Sequence, residues 1–365
     1  MIIDQISEAG SSAWLDDLSR AKITGTDNHS LPYRIAHNGI VGVTTNPNIF
    51  NIAISQGSEY AASMAELKGK SAEEVVRILT TDDVRNACDL FTSVFESTNG
   101  KDGRVSIEVD PRLARDTAGS IRQGKELWEI VGRPNVLIKI PATLEGLGAI
   151  TQLTADGINI NVTLIFSVER YIQVFHAYME GLELRLAAGE AISNIRSVAS
   201  LFVSRMDTAV DALLKAKNSP KSLDLLGKAA IANAALTYKA FEAERATPRW
   251  QRLQEQGANV QRPLWASTGV KDPAYDDTRY VIELVAPDTV NTMPQATLDA
   301  LLDHGIFTGK TISSLYVDSQ KVFRELGEVG ISLSHVSDDL ETDAVKKFEV
   351  AWIDLIANVE RVLTQ

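Results

Sequence analysis

Eight short runs of β-branched and aliphatic residues recur along the 365-residue chain, and longer amphipathic segments separate them. Runs of this length are typical of buried strands, and the longer segments have the apolar spacing of helices. The runs lie at residues 13–15, 40–44, 104–109, 136–140, 158–164, 195–202, 263–267 and 289–292. Strands that alternate with helices predict a parallel sheet with helical crossovers. Eight such units favour a closed (β/α)8 barrel.

The connecting segments bear on the choice between two parallel-sheet folds. Residues 113–131, 168–188 and 273–285 have helical patterns, as the crossovers of either fold would. An open doubly wound sheet carries a Gly-rich phosphate turn after its first strand. Here the first run leads into Trp14-Leu15-Asp16-Asp17-Leu18-Ser19, which contains no glycine. The preferred prediction is therefore an α/β fold of the (β/α)8 TIM-barrel type.

Two segments exceed what a plain barrel needs. Residues 48–97 contain several helical patterns, and residues 319–363 contain at least two. The chain has no low-complexity tract and no linker rich in Pro, Gly or Ser. We therefore predict one barrel domain over residues 1–365, with additional helices between strands 2 and 3 and a C-terminal helical extension. The apolar stripe of residues 345–363 fits either core packing or a position over the barrel mouth.

Charge and composition limit the partners and the compartment. The chain has 36 basic and 48 acidic residues, a formal net charge of −12, which repels nucleic acid and anionic membranes. An anionic substrate would then need a local group of Lys or Arg. The one cysteine, Cys88, allows no intramolecular disulfide, and the chain has neither a signal-peptide pattern nor an apolar run of about 18 residues. We expect a cytoplasmic protein, either a monomer or a homodimer, that binds no nucleic acid and no membrane.

Polar residues that close the apolar runs are the candidates for function, because a (β/α)8 barrel has its active site at the carboxyl ends of its strands. Nearly every run closes on such a residue. In chain order they are Asp16, Asn46, Glu108, Lys139, Asn161 with Thr163, Ser200, Ser267 and Asn291. A barrel end that serves only stability does not need such a ring.

Lys139 is the sharpest candidate, since it lies in the otherwise apolar run Val136-Leu137-Ile138-Lys139-Ile140-Pro141. Burial disfavours the ammonium form of a lysine, and the free amine is the nucleophile that attacks carbonyls. The alternative is a structural lysine paired with a buried carboxylate. Glu108 closes the preceding run, so its carboxylate is within reach either as that partner or as the group that activates a water.

Three other positions have mixed interpretations. Asn46 in Thr44-Thr45-Asn46-Pro47 is typical of a helix N-cap followed by proline, and spacing alone favours the cap. Asn161 and Thr163 share one face of a strand, which is either the lumen or the helix layer. Arg205 begins the helix after the sixth run, where a phosphate would meet a guanidinium and helix N-terminal amides. A surface arginine is equally compatible.

The histidines do not have the spacing of a metal site. They are His29, His37, His176, His304 and His335, and none has a His partner at i+4 on a helix or a His-x-Glu spacing. The sequence therefore predicts no metal.

Five segments occur together in a recognisable order. They are Trp14-Leu15-Asp16-Asp17-Leu18-Ser19-Arg20, Gly42-Val43-Thr44-Thr45-Asn46-Pro47, Ser106-Ile107-Glu108-Val109-Asp110, Ile138-Lys139-Ile140-Pro141-Ala142-Thr143 and Asn161-Val162-Thr163-Leu164-Ile165-Phe166. Across most of the chain they resemble the transaldolase family, relatives of the class I aldolases with a Schiff-base lysine on the fourth barrel strand. Leu264-Trp265-Ala266-Ser267-Thr268-Gly269-Val270-Lys271-Asp272-Pro273 resembles the long, actinobacterial type.

The resemblance implies roles for the matching residues. Lys139 would form the imine, Asp16 would be the acid and base for the substrate hydroxyl, and Glu108 with Thr163 would act on the catalytic water. The resemblance also implies that Asn46, Asn161 and Ser200 contact the sugar hydroxyls and that Arg205 contacts the phosphate. Phe202 is a further expected substrate contact, and strand-end position alone suggests Ser267 and Lys271 near the phosphate. Asp17 follows Asp16 directly, and strand alternation lets only one of them face the lumen.

The implied reaction moves a dihydroxyacetone unit from sedoheptulose 7-phosphate to glyceraldehyde 3-phosphate, and it gives erythrose 4-phosphate and fructose 6-phosphate. It belongs to the non-oxidative pentose phosphate pathway. No cofactor is expected, because the protonated imine is the electron sink. The sugar phosphates are the expected partners.

Two alternative functions remain open. Fructose 6-phosphate aldolases share the lysine strand, but they tend to have Gln where this chain has Glu108 and Tyr where it has Phe202, so both positions favour transfer. A non-catalytic sugar-phosphate-binding barrel would bind ligand without forming an imine, and it leaves the pairing of Lys139 with Glu108 unexplained.

Overall fold

Eight parallel strands form a closed barrel in the computed structural model, which describes residues 1–364. The strands follow one another around the barrel in chain order. They are β1 (Ser11–Leu15), β2 (Gly42–Val43), β3 (Arg104–Glu108), β4 (Val136–Pro141), β5 (Ile160–Ile165), β6 (Ser197–Phe202), β7 (Arg262–Ala266) and β8 (Thr289–Met293). The predicted (β/α)8 barrel is confirmed, and each of the eight predicted runs overlaps one strand.

Strand β2 is shorter than predicted, and its glycine explains how it fits. A Cβ atom added at Gly42 would lie 2.5 Å from the indole ring of Trp14, which is fully buried. Strand β2 can lie this close to Trp14, and the barrel can close here, only because Gly42 has no side chain.

The register of the strands brings the predicted site residues together. Glu108 on β3 pairs with Lys139 on β4, and Lys139 pairs in turn with Asn161 on β5. Pro141 pairs with Thr163. Since successive side chains on a strand alternate between the lumen and the helix layer, residues two apart share the lumen face.

Helices connect the strands and surround the barrel. They are α1 (Ile2–Glu8), α2 (Arg20–Thr24), α3 (Leu31–Asn38), α4 (Pro47–Gln56), α5 (Ala61–Glu66), α6 (Ala72–Leu90), α7 (Thr92–Ser97), α8 (Thr117–Val131), α9 (Leu144–Ala155), α10 (Val168–Ala187), α11 (Ser204–Lys217), α12 (Pro220–Leu223), α13 (Ala229–Arg245), α14 (Pro248–Glu255), α15 (Arg279–Ile282), α16 (Gln295–His304), α17 (Tyr316–Glu328) and α18 (Leu333–Leu363). None of those within residues 1–364 is both long and apolar enough to cross a membrane.

The additional helices lie where the sequence places them. Helices α4 to α7 occupy the long connection between β2 and β3, and α17 and α18 form the C-terminal extension. With 31 residues, α18 is about 46 Å long. It packs against α4, α6 and α11.

The helix predicted over residues 273–285 is wrong except for Arg279–Ile282. Two aspartates explain the difference. Asp272 accepts a hydrogen bond from the backbone N–H of Ala274, and Asp276 accepts one from that of Thr278. These Asx turns take up backbone donors that a helix would use. Similarly, α8 begins at Thr117 rather than near residue 113, because Asp116 caps it through the N–H of Gly119.

Candidate active site

A cavity of about 410 Å³ opens at the carboxyl ends of the strands. Eight of the eleven predicted site residues line it: Asp16, Asn46, Lys139, Ser200, Phe202, Arg205, Ser267 and Lys271. The other three, Glu108, Asn161 and Thr163, are buried and do not line this cavity. The other lining residues include Thr44, Thr292, Lys347 and Phe348.

Lys139 is 4% exposed and holds two polar contacts. Its Nζ donates a 3.0 Å hydrogen bond to the carbonyl of Thr45 and lies 3.1 Å from Glu108 Oε2. The predicted buried carboxylate partner is therefore present. The amine also borders the cavity, so it is accessible to a ligand there.

Glu108 is as deeply buried as the lysine it accompanies. Burial raises the pKa of this carboxyl, and the positive charge of Lys139 opposes the rise. Glu108 faces a second, smaller cavity of about 180 Å³, whose wall includes Asn46 and Trp352. The carboxyl therefore lies between Lys139 and a separate small space next to the main cavity.

Asp16 follows strand β1 and lines the main cavity. Burial raises its pKa, while the charge of Lys139 and a 2.6 Å hydrogen bond from Thr44 lower it. Thr44 also shares a 2.6 Å hydrogen bond with Thr292. Asp17 has a different setting, since its carboxyl pairs with Lys22 at 3.2 Å outside this cavity. The structure thus distinguishes the two adjacent aspartates.

Asn46 is both the N-cap of α4 and part of the wall of the main cavity. Its Oδ1 accepts a 3.0 Å hydrogen bond from the N–H of Ile49, so the predicted N-cap of α4 is confirmed. The same side chain lines the main cavity. The cap occupies the amide oxygen and leaves the two N–H donors of Nδ2 for other partners.

Asn161 lies under the floor of the cavity and is fully buried. Its Nδ2 donates to Ser106 Oγ at 2.9 Å, and its Oδ1 accepts from Ser200 Oγ at 2.7 Å. Ser200 is the member of this chain that reaches the cavity. Thr163, also fully buried, has no hydrogen-bond partner for Oγ1 within residues 1–364.

Arg205 lies in the first turn of α11 and presents a guanidinium that is poorly satisfied by the protein. The group packs over the rings of Phe202, at 5.3 Å, and Phe348, at 5.9 Å. Its Nη1 is buried without a hydrogen-bond partner among the described residues. Burial lowers the pKa of Arg205. A buried cation with free donors beside a cavity is suited to an anion.

The two other residues predicted near the phosphate differ in exposure. Ser267 adopts a left-handed backbone conformation, with φ of 55°, and its hydroxyl lies 3.0 Å from that of Ser204. Lys271 is exposed at the rim of the cavity. Within residues 1–364, Ser267 has a side-chain hydrogen bond to the protein, whereas Lys271 has neither a side-chain hydrogen bond nor an ion pair.

A family model described as Transaldolase/Fructose-6-phosphate aldolase matches residues 13–359. The chain belongs to this family. It is 54% identical over 354 residues to the transaldolase of Mycolicibacterium smegmatis, a match that covers 96% of this chain and 94% of the relative. The transaldolase of Arthrobacter sp. strain FB24 is 52% identical over 362 residues, 98% of this chain and 96% of the relative. That of Mycobacterium tuberculosis strain H37Rv is 51% identical over 354 residues, 96% of this chain and 94% of the relative.

In this member of the transaldolase family, several residues that line the cavity were not predicted from the sequence. Phe348 comes from α18 and its ring centroid lies 5.8 Å from Lys139 Nζ and 6.5 Å from the ring of Phe202. The apolar stripe of the last helix was the available signal, but the sequence left open whether it packs in the core or lies at the barrel mouth, and Phe348 lines the cavity there. Thr44 and Thr292 also line the cavity, and their positions at strand ends could have identified them.

One member of the predicted ring does not face the lumen. Asn291 donates its Nδ2 to the carbonyl of Tyr280 at 2.8 Å, in the layer outside the barrel. Its strand neighbour Trp265 likewise donates outward, to Leu284. Strand alternation instead places Thr292, the next residue, in the cavity.

Proposed function

We propose that this protein is a transaldolase that transfers a dihydroxyacetone unit from sedoheptulose 7-phosphate to glyceraldehyde 3-phosphate through an imine on Lys139. The observation that carries the proposal is the single buried amine in the cavity, flanked by Glu108 at 3.1 Å and by Asp16. It is also proposed to work in the cytoplasm, in the non-oxidative pentose phosphate pathway.

Lys139 begins the reaction as the nucleophile. Its neutral amine adds to the ketose carbonyl, and loss of water from the carbinolamine gives a protonated imine. Glu108 is suited to hold the proton that leaves the ammonium, because burial already raises the pKa of its carboxyl. The pair can therefore exchange a proton without moving net charge into or out of the barrel.

Asp16 acts on the hydroxyl at the fourth carbon of the ketose. It removes that proton as the bond between the third and fourth carbons breaks, and the bonding electrons move into the imine to form an enamine. The aldose phosphate leaves. The enamine then attacks the aldehyde of the acceptor, and Asp16 returns the proton to the new hydroxyl.

The water step belongs to Glu108 and Thr163. The carboxyl of Glu108 and the unpartnered Oγ1 of Thr163 are both buried behind the lysine. A water held by them has an acceptor and a donor, and it can leave or attack the imine carbon.

The remaining cavity residues bind the substrate. Asn46 and Ser200 contact the hydroxyls of the three-carbon unit, and Asn161 orients Ser200 from below by the 2.7 Å hydrogen bond. Arg205 holds the phosphate at the opposite end, with Ser267 and Lys271 beside it. The buried, unpartnered Nη1 of Arg205 supports this assignment, because a phosphate would supply the missing acceptor.

Two residues favour transfer over release of free dihydroxyacetone. Glu108 and Phe202 stand where fructose 6-phosphate aldolases tend to have Gln and Tyr. Phe202 brings a ring without a hydroxyl to the cavity, so it adds no proton donor that could assist hydrolysis of the enamine. The enamine therefore persists until the acceptor aldehyde binds.

Borohydride trapping tests the proposal. Reduction in the presence of fructose 6-phosphate is expected to leave a three-carbon adduct on Lys139, which mass spectrometry of the digested protein would locate. An adduct on another residue, or none, would contradict the mechanism. Assays with and without an acceptor aldehyde then separate transfer from aldol cleavage.

A further inference from the structure

The amino-terminal end of the barrel, opposite the candidate active site, contains a cavity of about 270 Å³. Its wall includes the first residues of β3, β6 and β7 and the loops that precede them. Four basic side chains line it, Lys101, Arg104, Arg196 and Arg262, with Asp288 as the one acidic side chain. This excess of positive charge occurs in a chain whose formal net charge is −12. The proposed reaction does not use it.

Two of these four basic residues have carboxylate partners. Arg262 Nη1 lies 3.0 Å from Asp102 Oδ1, and Lys101 Nζ lies 3.2 Å from Asp288 Oδ1. Asp288 also pairs with Arg245 at 3.0 Å, so one carboxylate is shared between two cations. Nearby acidic groups therefore neutralise less than the full charge of even these two.

Arg104 and Arg196 form no ion pair within residues 1–364. Arg104, 3% exposed, donates from Nε to the carbonyl of Gly100 at 2.8 Å. Arg196 donates to the carbonyls of Ser193 and Asn99. Carbonyl groups satisfy some of the N–H donors, but they carry no net charge. No carboxylate therefore pairs directly with either guanidinium group among the described residues, and Asp102 acts on the charge of Arg104 only from a longer distance.

The three arginines are close enough to affect one another. Burial and then the positive charge of Arg196 lower the pKa of Arg104. Burial lowers the pKa of Arg196, and Arg262 acts in the same direction. Because guanidinium groups stay protonated in proteins, this repulsion persists in the folded state. Arg262, 5% exposed, also has a buried Nε without a hydrogen-bond partner among the described residues.

We propose that this cavity binds a phosphate-class oxyanion, either inorganic phosphate or the phosphate of a small monoester, through Arg104, Arg196 and Arg262. Within residues 1–364, protein acceptors take only two of the five N–H donors of Arg104 and two of those of Arg196, and Arg262 adds its unpartnered Nε. Guanidinium N–H donors match the oxygens of a phosphate. A doubly charged anion removes the repulsion among them and accepts from the free donors. Since the amino-terminal face of such barrels serves stability rather than chemistry, the bound anion stabilises the folded chain.

Calorimetric titration with inorganic phosphate and with glycerol 3-phosphate tests the site, in buffers of matched ionic strength made up with chloride. The Arg205→Gln chain is used, so that phosphate binding at the opposite end of the barrel is weakened. We expect this chain to bind one anion. Tighter binding of inorganic phosphate would identify free phosphate as the ligand, and tighter binding of glycerol 3-phosphate would identify a phosphate monoester. Adding Arg196→Gln is expected to weaken binding at least about tenfold, the loss of one charge-assisted contact.

Arg324→Gln in the same background is the matched control, because Arg324 is 65% exposed on α17 and lies outside the cavity. It is expected to leave the affinity unchanged. If Arg196→Gln does not fold, Arg196→Lys keeps the charge but loses the paired donors, and a smaller loss of affinity is expected. The proposal is overturned if the Arg205→Gln chain binds neither probe, or if either Arg196 substitution leaves the affinity unchanged.

Discussion

Glu108 Oε2 lies 3.1 Å from Lys139 Nζ, and the two residues are direct partners across strands β3 and β4. A structural ion pair and a catalytic pair share this geometry. What separates them is the environment: the lysine borders a cavity of about 410 Å³, and the carboxyl lies behind it. Glu108 therefore both balances the positive charge of the Lys139 ammonium and can accept its proton.

Replacing Glu108 by Gln keeps the shape of the side chain and removes its ability to exchange a proton. We expect kcat to fall about 10²- to 10⁴-fold, the usual contribution of a general acid–base group. Single-turnover borohydride trapping measures the step directly, and imine formation should slow as much as turnover. Glu180→Gln, at an exposed position on α10, is the control. Wild-type rates of imine formation in the Glu108 variant would leave this carboxyl a purely structural role.

Asp16→Asn and Asp17→Asn form a matched pair of adjacent substitutions. Asp16 lines the cavity, whereas Asp17 pairs with Lys22 outside it. We expect the Asp16 variant to lose about 10²- to 10⁴-fold in kcat and the Asp17 variant to change little. A steady-state transfer assay measures both. Equal losses of kcat in the two variants would contradict the assignment of the acid–base role to Asp16 alone.

The stability of the Asp16→Asn chain should depend on pH differently from that of the wild type. Burial raises the pKa of Asp16 above its unfolded value of about 3.9. Its contribution to folding is therefore fully present below the unfolded pKa and is lost as pH rises through the folded pKa. We expect the wild type to lose stability relative to the variant over the range of pH above about 4. Denaturant midpoints across this range measure the difference, and parallel curves for the two chains would contradict it.

Arg205→Gln removes a buried cation and its unpartnered donor. KM for fructose 6-phosphate is expected to rise about 10- to 100-fold, because a hydrogen bond to a charged group contributes about 1.5–3 kcal/mol. Activity with unphosphorylated fructose should change much less. Lys271→Gln, at the exposed rim, is expected to raise KM less than about fivefold, since exposed charges contribute little. Equal effects on both sugars would argue against a phosphate contact at Arg205.

Phe202→Tyr adds a hydroxyl to the wall of the cavity. We expect the ratio of free dihydroxyacetone release to transfer to rise, and to rise further when Glu108→Gln is added. A tenfold change in this ratio needs about 1.4 kcal/mol, within the range of one hydrogen bond. Phe166→Tyr is the control, because its ring lies 5.4 Å from that of Phe202 but outside the cavity lining. Product analysis with a limiting acceptor measures the ratio.

The expectation that no metal is needed stays a prediction, and a chelator tests it. Transfer activity should be unchanged after prolonged dialysis against EDTA, because a protonated imine accepts the electrons of the broken bond without a Lewis acid. Loss of activity that zinc or magnesium restores would contradict the mechanism.

Local pattern was enough to predict much of this fold. Apolar runs such as Val136–Pro141 form buried strands because parallel strands in a barrel are covered on both faces. Asn46 could be recognised as a cap because the signal lies within four residues of chain. The helix predicted over residues 273–285 was mostly wrong because their apolar spacing is helical, while the local hydrogen bonds of Asp272 and Asp276 favour turns.

The sequence by itself determined the eight strands, their alternation with helices, and the buried lysine at the end of the fourth strand, because these features depend on short-range periodicity and burial. Only the tertiary structure decided that Asp16 rather than Asp17 lines the cavity, that Asn291 faces outward, and that Phe348 reaches Lys139. Each of these depends on strand register or on the path of a distant helix. Such relationships arise from packing between segments far apart in the chain, which no local pattern records.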